Sequence, residues 1–243
     1  MPGKALRTVS RRRFLEVAAC ALPGALASGR WIARPSRSSE AVPTCVLVDL
    51  GTDCALPESL NGFARGLTMS NVSFQLSPVE QLGDSISPGA SWLTRVVLVP
   101  GGVLRSPRVA AMLRNLAHRG AMVLYESGAA YAQDFASERD LLQQQFGVRV
   151  DTPVDLWSQS ARCDFAPYVH YGWPEPLVVR DFSRLIPVLS PQQAFATIDR
   201  LAVAGRVPLG AGEFIFLGSP LGPHLNLDDP QALALLKALV SRS

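Results

Sequence analysis

Short, continuous apolar runs, each stopping at glycine or an acidic residue, constrain this chain more than any other feature. They are Cys45-Val46-Leu47-Val48-Asp49-Leu50, Arg95-Val96-Val97-Leu98-Val99-Pro100-Gly101-Gly102, Ala121-Met122-Val123-Leu124-Tyr125, and Gly212-Glu213-Phe214-Ile215-Phe216-Leu217-Gly218. Runs without polar alternation are the mark of strands covered on both faces, as parallel strands are. Between them lie segments of helical period. Glu58 to Met69 carries Leu60, Phe63, Ala64 and Leu67, and Pro107 to Arg119 carries Val109, Met112, Leu113 and Leu116 on one face with Gly120 as a stop. Val72 to Leu76 reads as a further strand, Ala129 to Phe146 as helical with a break near Phe135, and Asp229 to Ser241 as a closing helix. This order predicts an α/β fold, a mostly parallel, doubly wound sheet with helices on both faces. Phe195 to Ile198 returns as a strand. Leu201-Ala202-Val203-Ala204 and Val207-Pro208-Leu209 around Gly205-Arg206 predict an antiparallel hairpin near the C-terminus.

The stretch between them, about 152–190, is punctuated by Pro153, Pro167, Pro174, Pro176 and Pro187, and holds Trp157, Tyr168, His170, Tyr171 and Trp173. It reads as an irregular insert in a single domain, 44–243, because a long loop inside a compact domain usually serves function. Its aromatics suit either a recognition surface or a satellite core.

The N-terminus is of another kind. Ser10-Arg11-Arg12-Arg13-Phe14-Leu15 precedes a short apolar run and Ala25-Leu26-Ala27, the basic, apolar and small-residue order of an export signal. The paired arginines before Phe-Leu resemble the twin-arginine signal, which implies a twin-arginine translocase as partner and a periplasmic destination. Cleavage after Ala27 is favoured over lipoprotein processing at Cys20, with 28–43 as a linker. Losing residues 1–27 removes Lys4, Arg7, Arg11, Arg12, Arg13 and Glu16, so the formal charge moves from +3 to −1. A domain with that balance has no basic footprint for nucleic acid. No later run has the length of a membrane span. Of Cys45, Cys54 and Cys163, the first two are held apart by a strand, which leaves Cys54 with Cys163, or three unpaired thiols.

In open parallel sheets, ligands collect at the carboxyl ends of strands. Those ends carry Asp49, Gly101-Gly102 and Glu126-Ser127-Gly128. Glu126 suits a general base, a metal ligand or a carboxylate held at the following helix start, or simply a cap. Ser127 suits a nucleophile or a cap. His224, just beyond the Gly212–Gly218 strand, suits a general base or a solvated loop residue. His118 ends a helix and needs no functional role. Asp49, Asp53, Asp228 and Asp229 have no spacing that fixes a ligand set, so neither metal nor cofactor is expected.

The Pro100-Gly101-Gly102 strand end, the Gly120–Tyr131 strand and elbow, and the Gly212–Ser219 strand together resemble the class I glutamine amidotransferase-like superfamily over about residues 45–240. The resemblance implies a Gly-Gly turn that offers N–H groups to an oxyanion and an elbow that lifts a cysteine above the sheet. Aligning the elbow glycine with Gly128 puts Glu126 where the cysteine belongs. The family's histidine-any-glutamate pair is absent as well, since Leu225 and Asn226 follow His224. The expectation is an exported domain with a degenerate elbow. It binds a small ligand or a periplasmic protein through Gly101, Gly102, Gly128 and Asp49 and does not transfer ammonia. The alternative is a periplasmic hydrolase that uses Glu126 or Ser127 with His224.

Overall fold

Alternation within the central strands sends successive side chains to opposite faces, and both faces are apolar, so each must be roofed. The computed structural model describes residues 45–82, 96–132, 135–156, 168–172, 176–180 and 184–241. The expected export signal and linker, together with Trp157, Cys163 and Trp173, lie outside the described residues.

Strands β1 (Cys45–Asp49), β2 (Phe74–Pro78), β3 (Val96–Gly102) and β4 (Met122–Ser127) pair in parallel in the order β2-β1-β3-β4. Strand β11 (Gly212–Leu217) adds to β4, also in parallel. Beyond it the sheet turns antiparallel through β10 (Leu201–Leu209), β9 (Ala194–Ile198), β6 (Tyr168–Tyr171) and β7 (Leu177–Arg180). The result is an open nine-stranded sheet with β2 and β7 at its edges. The remaining strands, β5 (Val154–Asp155) and β8 (Arg184–Leu185), form a separate antiparallel pair.

Leu47, Leu98, Leu124 and Ile215 meet Phe63 and Leu67 of α1 (Pro57–Met69), Leu225 of α4 (Gly222–Asn226) and Leu235, Leu236 and Leu239 of α5 (Pro230–Val240). On the opposite face, Val97, Val99, Val123, Tyr125, Phe214 and Phe216 meet Ala110, Leu113 and Leu116 of α2 (Pro107–His118) and Leu141 of α3 (Phe135–Leu141). Each buried leucine in these layers contributes roughly 2 kcal/mol of transfer free energy. Helix starts follow the sequence. Ser106 Oγ accepts from the Val109 N–H with Pro107 in the first turn, and Asp229 Oδ1 accepts from the N–H groups of Gln231 and Ala232 with Pro230 in the first turn. The central part of the sheet is thus parallel and covered on both sides. Among the described residues, no helix is long and apolar enough to cross a membrane.

Two expectations need correction. The insert at 152–190 is not irregular throughout, since β6 and β7 form a hairpin that extends the main sheet, with Val169 and Tyr171 buried against Ala196 and Ile198. Proline spacing misled here because the prolines bound these short strands and do not interrupt them. Next, Gly205-Arg206 is not a turn. Strand β10 runs through both residues, and the register slips between Ala202, Ala204 and Gly205 against β9. Glycine inside a strand marks a bulge as readily as a turn. The reversals fall at Asp199-Arg200, both with positive φ, and at Gly210-Ala211. The Cys54 thiol is free, and Cys163, its expected partner, lies outside the described residues. Cys45 is free too, and its burial in β1 pushes its pKa up to about 12.

Candidate functional site

The expected site lies at the carboxyl ends of β3 and β4, where Gly102 stands in register with Ser127. Strand β3 does not stop at Pro100. It continues through Gly102, and Gly101, at φ 60°, introduces a slip of register in place of a tight turn. The two ends are neighbours, as the strand order requires. The Gly128 N–H donates to the Gly102 carbonyl at 2.7 Å.

The segment after β1 then covers these ends. Asp49 Oδ1 accepts from the Gly51 N–H at 2.8 Å and closes the turn that starts the segment. The Gly101 carbonyl accepts from the N–H groups of Ala55 (2.9 Å) and Leu56 (3.1 Å), and the Asp53 carbonyl accepts from the Val103 N–H at 2.7 Å. The backbone of Cys54 pairs with that of Gly102 in an isolated antiparallel β-bridge. Close approach, not an elbow, dictates glycine at 128, because a Cβ there would sit 2.3 Å from the Gly101 carbonyl oxygen. The predicted ligand-binding set Gly101, Gly102, Gly128 and Asp49 is therefore brought together, and its polar backbone groups are engaged by the chain itself.

Glu126 and Ser127 point to opposite faces. Glu126, fully buried, reaches toward α4, where its Oε2 accepts from the N–H groups of Leu221 (2.7 Å) and Gly222 (2.8 Å). It does brace a helix start, but that of α4, far along the chain, and not the short helix Ala129–Tyr131 that follows it. Its Oε1 and the Ser59 hydroxyl complete no hydrogen bond of ordinary geometry. Burial pushes the Glu126 pKa up, opposed by the nearby Ser59 hydroxyl and by N–H groups of Gly222, Leu221 and Gly101. Backbone contact makes this junction tight, since a Cβ on Gly62 of α1 would lie 1.9 Å from the Gly222 carbonyl oxygen.

Ser127 is also buried. Its Oγ lies 2.6 Å from Glu138 Oε2 and accepts from the Ala129 N–H at 3.1 Å. His224 sits in α4, not in a loop, and its Nδ1 lies 3.9 Å from Asp229 Oδ2. His118 ends α2 as expected, and His170 lies exposed on β6 opposite Thr197. Among thiols, Cys54 is half-buried near the site, and burial pushes its pKa up, with the Asp49, Glu126 and Glu58 charges adding and a backbone hydrogen bond at Leu56 opposing. A thiol so shifted is a weak nucleophile at neutral pH.

The sequence reading passed over Glu138 and Tyr125. Glu138 is fully buried, bonded to Tyr125, Ser127 and the Leu104 N–H. A signal was present. Glu138 shares the buried stripe of its helix with Leu141 and Leu142, where an acidic residue is out of place.

No protein-family model matches the chain, and no curated protein matches it in sequence. Solved structures do resemble it. The β-galactosidase of the haloarchaeon Halorubrum lacusprofundi is 15% identical with a TM-score of 0.59, covering 86% of this chain and 32% of its own. The β-galactosidase of Bacillus circulans sp. alkalophilus is 12% identical with a TM-score of 0.57, covering 82% of this chain and 31% of its own. A cytoplasmic protein of Salmonella typhimurium LT2 is 10% identical with a TM-score of 0.54, and there the match covers 81% of this chain and 98% of the other. The chain thus spans about a third of the length of the glycosidases and nearly all of the Salmonella protein, and at these identities the likeness is one of α/β fold.

Proposed function

We propose that this chain is an exported, non-catalytic binding domain of doubly wound, amidotransferase-like architecture, acting on a periplasmic protein partner in preference to a small ligand held in the elbow. The observation that carries the reading is Glu126: at the nucleophile's position stands a buried carboxylate whose Oε2 is committed to the Leu221 and Gly222 N–H groups. A nucleophile or base must reach substrate, and neither Glu126 nor Ser127 is exposed to do so. The strand-end groups that would cradle a small ligand are engaged by residues 53–56, which favours a surface over a pocket. Export by the twin-arginine translocase, with cleavage after Ala27, places the domain in the periplasm.

The hydrolase reading with Glu126 or Ser127 and His224 draws no support from these contacts, because the His224 imidazole faces Asp229 and the Ser127 hydroxyl faces Glu138. The β-galactosidase activity of the similar enzymes belongs to chains about three times as long and is not carried over.

Two measurements test the proposal. The chain lacking residues 1–27 should release no ammonia from glutamine and hydrolyse neither galactosides nor esters; turnover abolished by Glu126→Gln or Ser127→Ala without loss of fold overturns the non-catalytic reading. Changing Arg11 and Arg12 together to lysine should leave precursor in the cytoplasm, and undiminished export of that variant removes the twin-arginine assignment.

A further inference from the structure

On the face covered by α2 and α3, hydrogen bonds converge on Glu138. The Leu104 N–H donates to Oε1 at 3.2 Å, Tyr125 Oη contacts the same oxygen, and Ser127 Oγ lies 2.6 Å from Oε2. Tyr125 Oη also lies 2.9 Å from the Gly102 carbonyl oxygen. A phenol has one proton to give, and a carbonyl and a carboxylate only accept. Both Tyr125 contacts are therefore hydrogen bonds together only when Glu138 supplies a proton. The acid then donates from Oε1 to Tyr125 Oη, and Tyr125 donates onward to Gly102. Ser127 donates to Oε2 while accepting from the Ala129 N–H. In that arrangement every buried donor in the cluster has an acceptor.

We propose that Glu138 is a proton-operated clamp on the carboxyl ends of β3 and β4. As the neutral acid it completes a relay through Tyr125 to the Gly102 carbonyl. On losing its proton to solvent it takes the Tyr125 hydrogen bond for itself and releases that carbonyl, which keeps only the Gly128 N–H.

The surroundings agree with the geometry. Tyr125 stacks against Phe214 and Phe216, so the cluster sits in apolar packing. Burial pushes the Glu138 pKa up to about 7, opposed by the Ser127 and Tyr125 hydroxyls, the Leu104 N–H and the charge of Arg105. Among the described residues, the titratable and charged groups that face Glu138 are Tyr125 from β4 and Arg105 from the segment after β3, the latter paired with Asp53 at 3.0 Å. Burial and the neighbouring Glu138 push Tyr125 well above its ordinary value, so the proton that moves near neutrality is that of Glu138.

The test compares urea unfolding of the chain lacking residues 1–27 with that of its Glu138→Gln variant between about pH 5 and 8. Glutamine offers one acceptor and one donor, as the neutral acid does, and does not titrate. From a value of about 7 against the ordinary carboxylate range, the wild-type unfolding constant should rise on the order of a hundredfold more than the variant's across that span. Glu126, also shifted upward, leaves a residual dependence of the same sign in both. Equal pH dependence in the two proteins overturns the clamp. Should the variant not fold, infrared spectra of wild type carrying isotope-labelled glutamate decide the matter. A neutral buried carboxyl band present near pH 6 and lost by pH 8 supports the clamp, and its absence near pH 6 overturns it.

Discussion

Two buried glutamates meet the end of β4 from opposite faces of the sheet, and they are accommodated in different ways. Glu126 is received by backbone, with two N–H groups from the start of α4 aimed at one oxygen. Glu138 is received by side chains, with two hydroxyls and one N–H around it. Backbone donors cannot turn away or become acceptors, so the first arrangement keeps its direction of bonding. Hydroxyls both donate and accept, so the second can rearrange when a proton leaves. A carboxylate fixed by main chain braces a junction; one fixed by hydroxyls is responsive.

The largest effect expected from breaking this contrast comes at Gly62. Gly62→Ala drives a methyl into the Gly222 carbonyl and should cost at least about 3 kcal/mol in urea unfolding, because backbone stands on the other side. A cost below about 1 kcal/mol would show that α4 can yield, and the Glu126 junction with it. Next comes Glu126 itself. Glu126→Ala orphans two buried N–H groups and should cost about 2–3 kcal/mol, whereas Glu126→Gln keeps an oxygen for them and should cost about 1 kcal/mol. Equal losses from the two would mean that charge, not acceptance of the N–H groups, is what α4 needs. Below the loss expected of Glu126→Ala comes Ser127→Ala, at roughly 1–2 kcal/mol for the lost hydrogen bonds. Its sharper readout is pH. A carboxyl whose folded pKa is raised contributes stability fully below the unfolded pKa and loses it as pH rises through the folded value, here about 7. The Ser127 hydroxyl favours the charged form, so its removal should move that loss to higher pH, and a move to lower pH would reverse the role given to it.

The parallel half of the sheet was legible because burial on both faces writes itself into each strand as an unbroken apolar run. Strands β1, β3, β4 and β11 all read that way, and their order placed Gly102 beside Glu126 before any coordinate did. The antiparallel half was less legible. Its reversal at Asp199-Arg200 uses two non-glycine residues at positive φ, where Asp199 is a weaker turn signal than glycine, while Gly205 advertises a turn where the chain makes a bulge. Roles at the site were hidden for another reason. Glu126 is explained by Leu221 and Gly222, and Ser127 by Glu138, and such partners are set by tertiary approach that spacing along the chain does not encode. Only the misplaced acid on the apolar stripe of α3 was visible, and only as an oddity.

Strand β11, near the end of the chain, lies at the centre of the sheet between β4 and β10. Until it has been synthesised, β4 and β10 each present a bare edge of unpaired N–H and C=O groups, and neither half can complete its core. The β10–β11 hairpin closes locally and early, but its parallel docking on β4 joins segments separated by most of the second half of the chain, a slow kind of contact. The sheet is thus completed only after β11 has been synthesised, and the half-built sheet is the species most exposed to aggregation. On the export route proposed above, which carries folded proteins, completion of the sheet by β11 would be the checkpoint for departure.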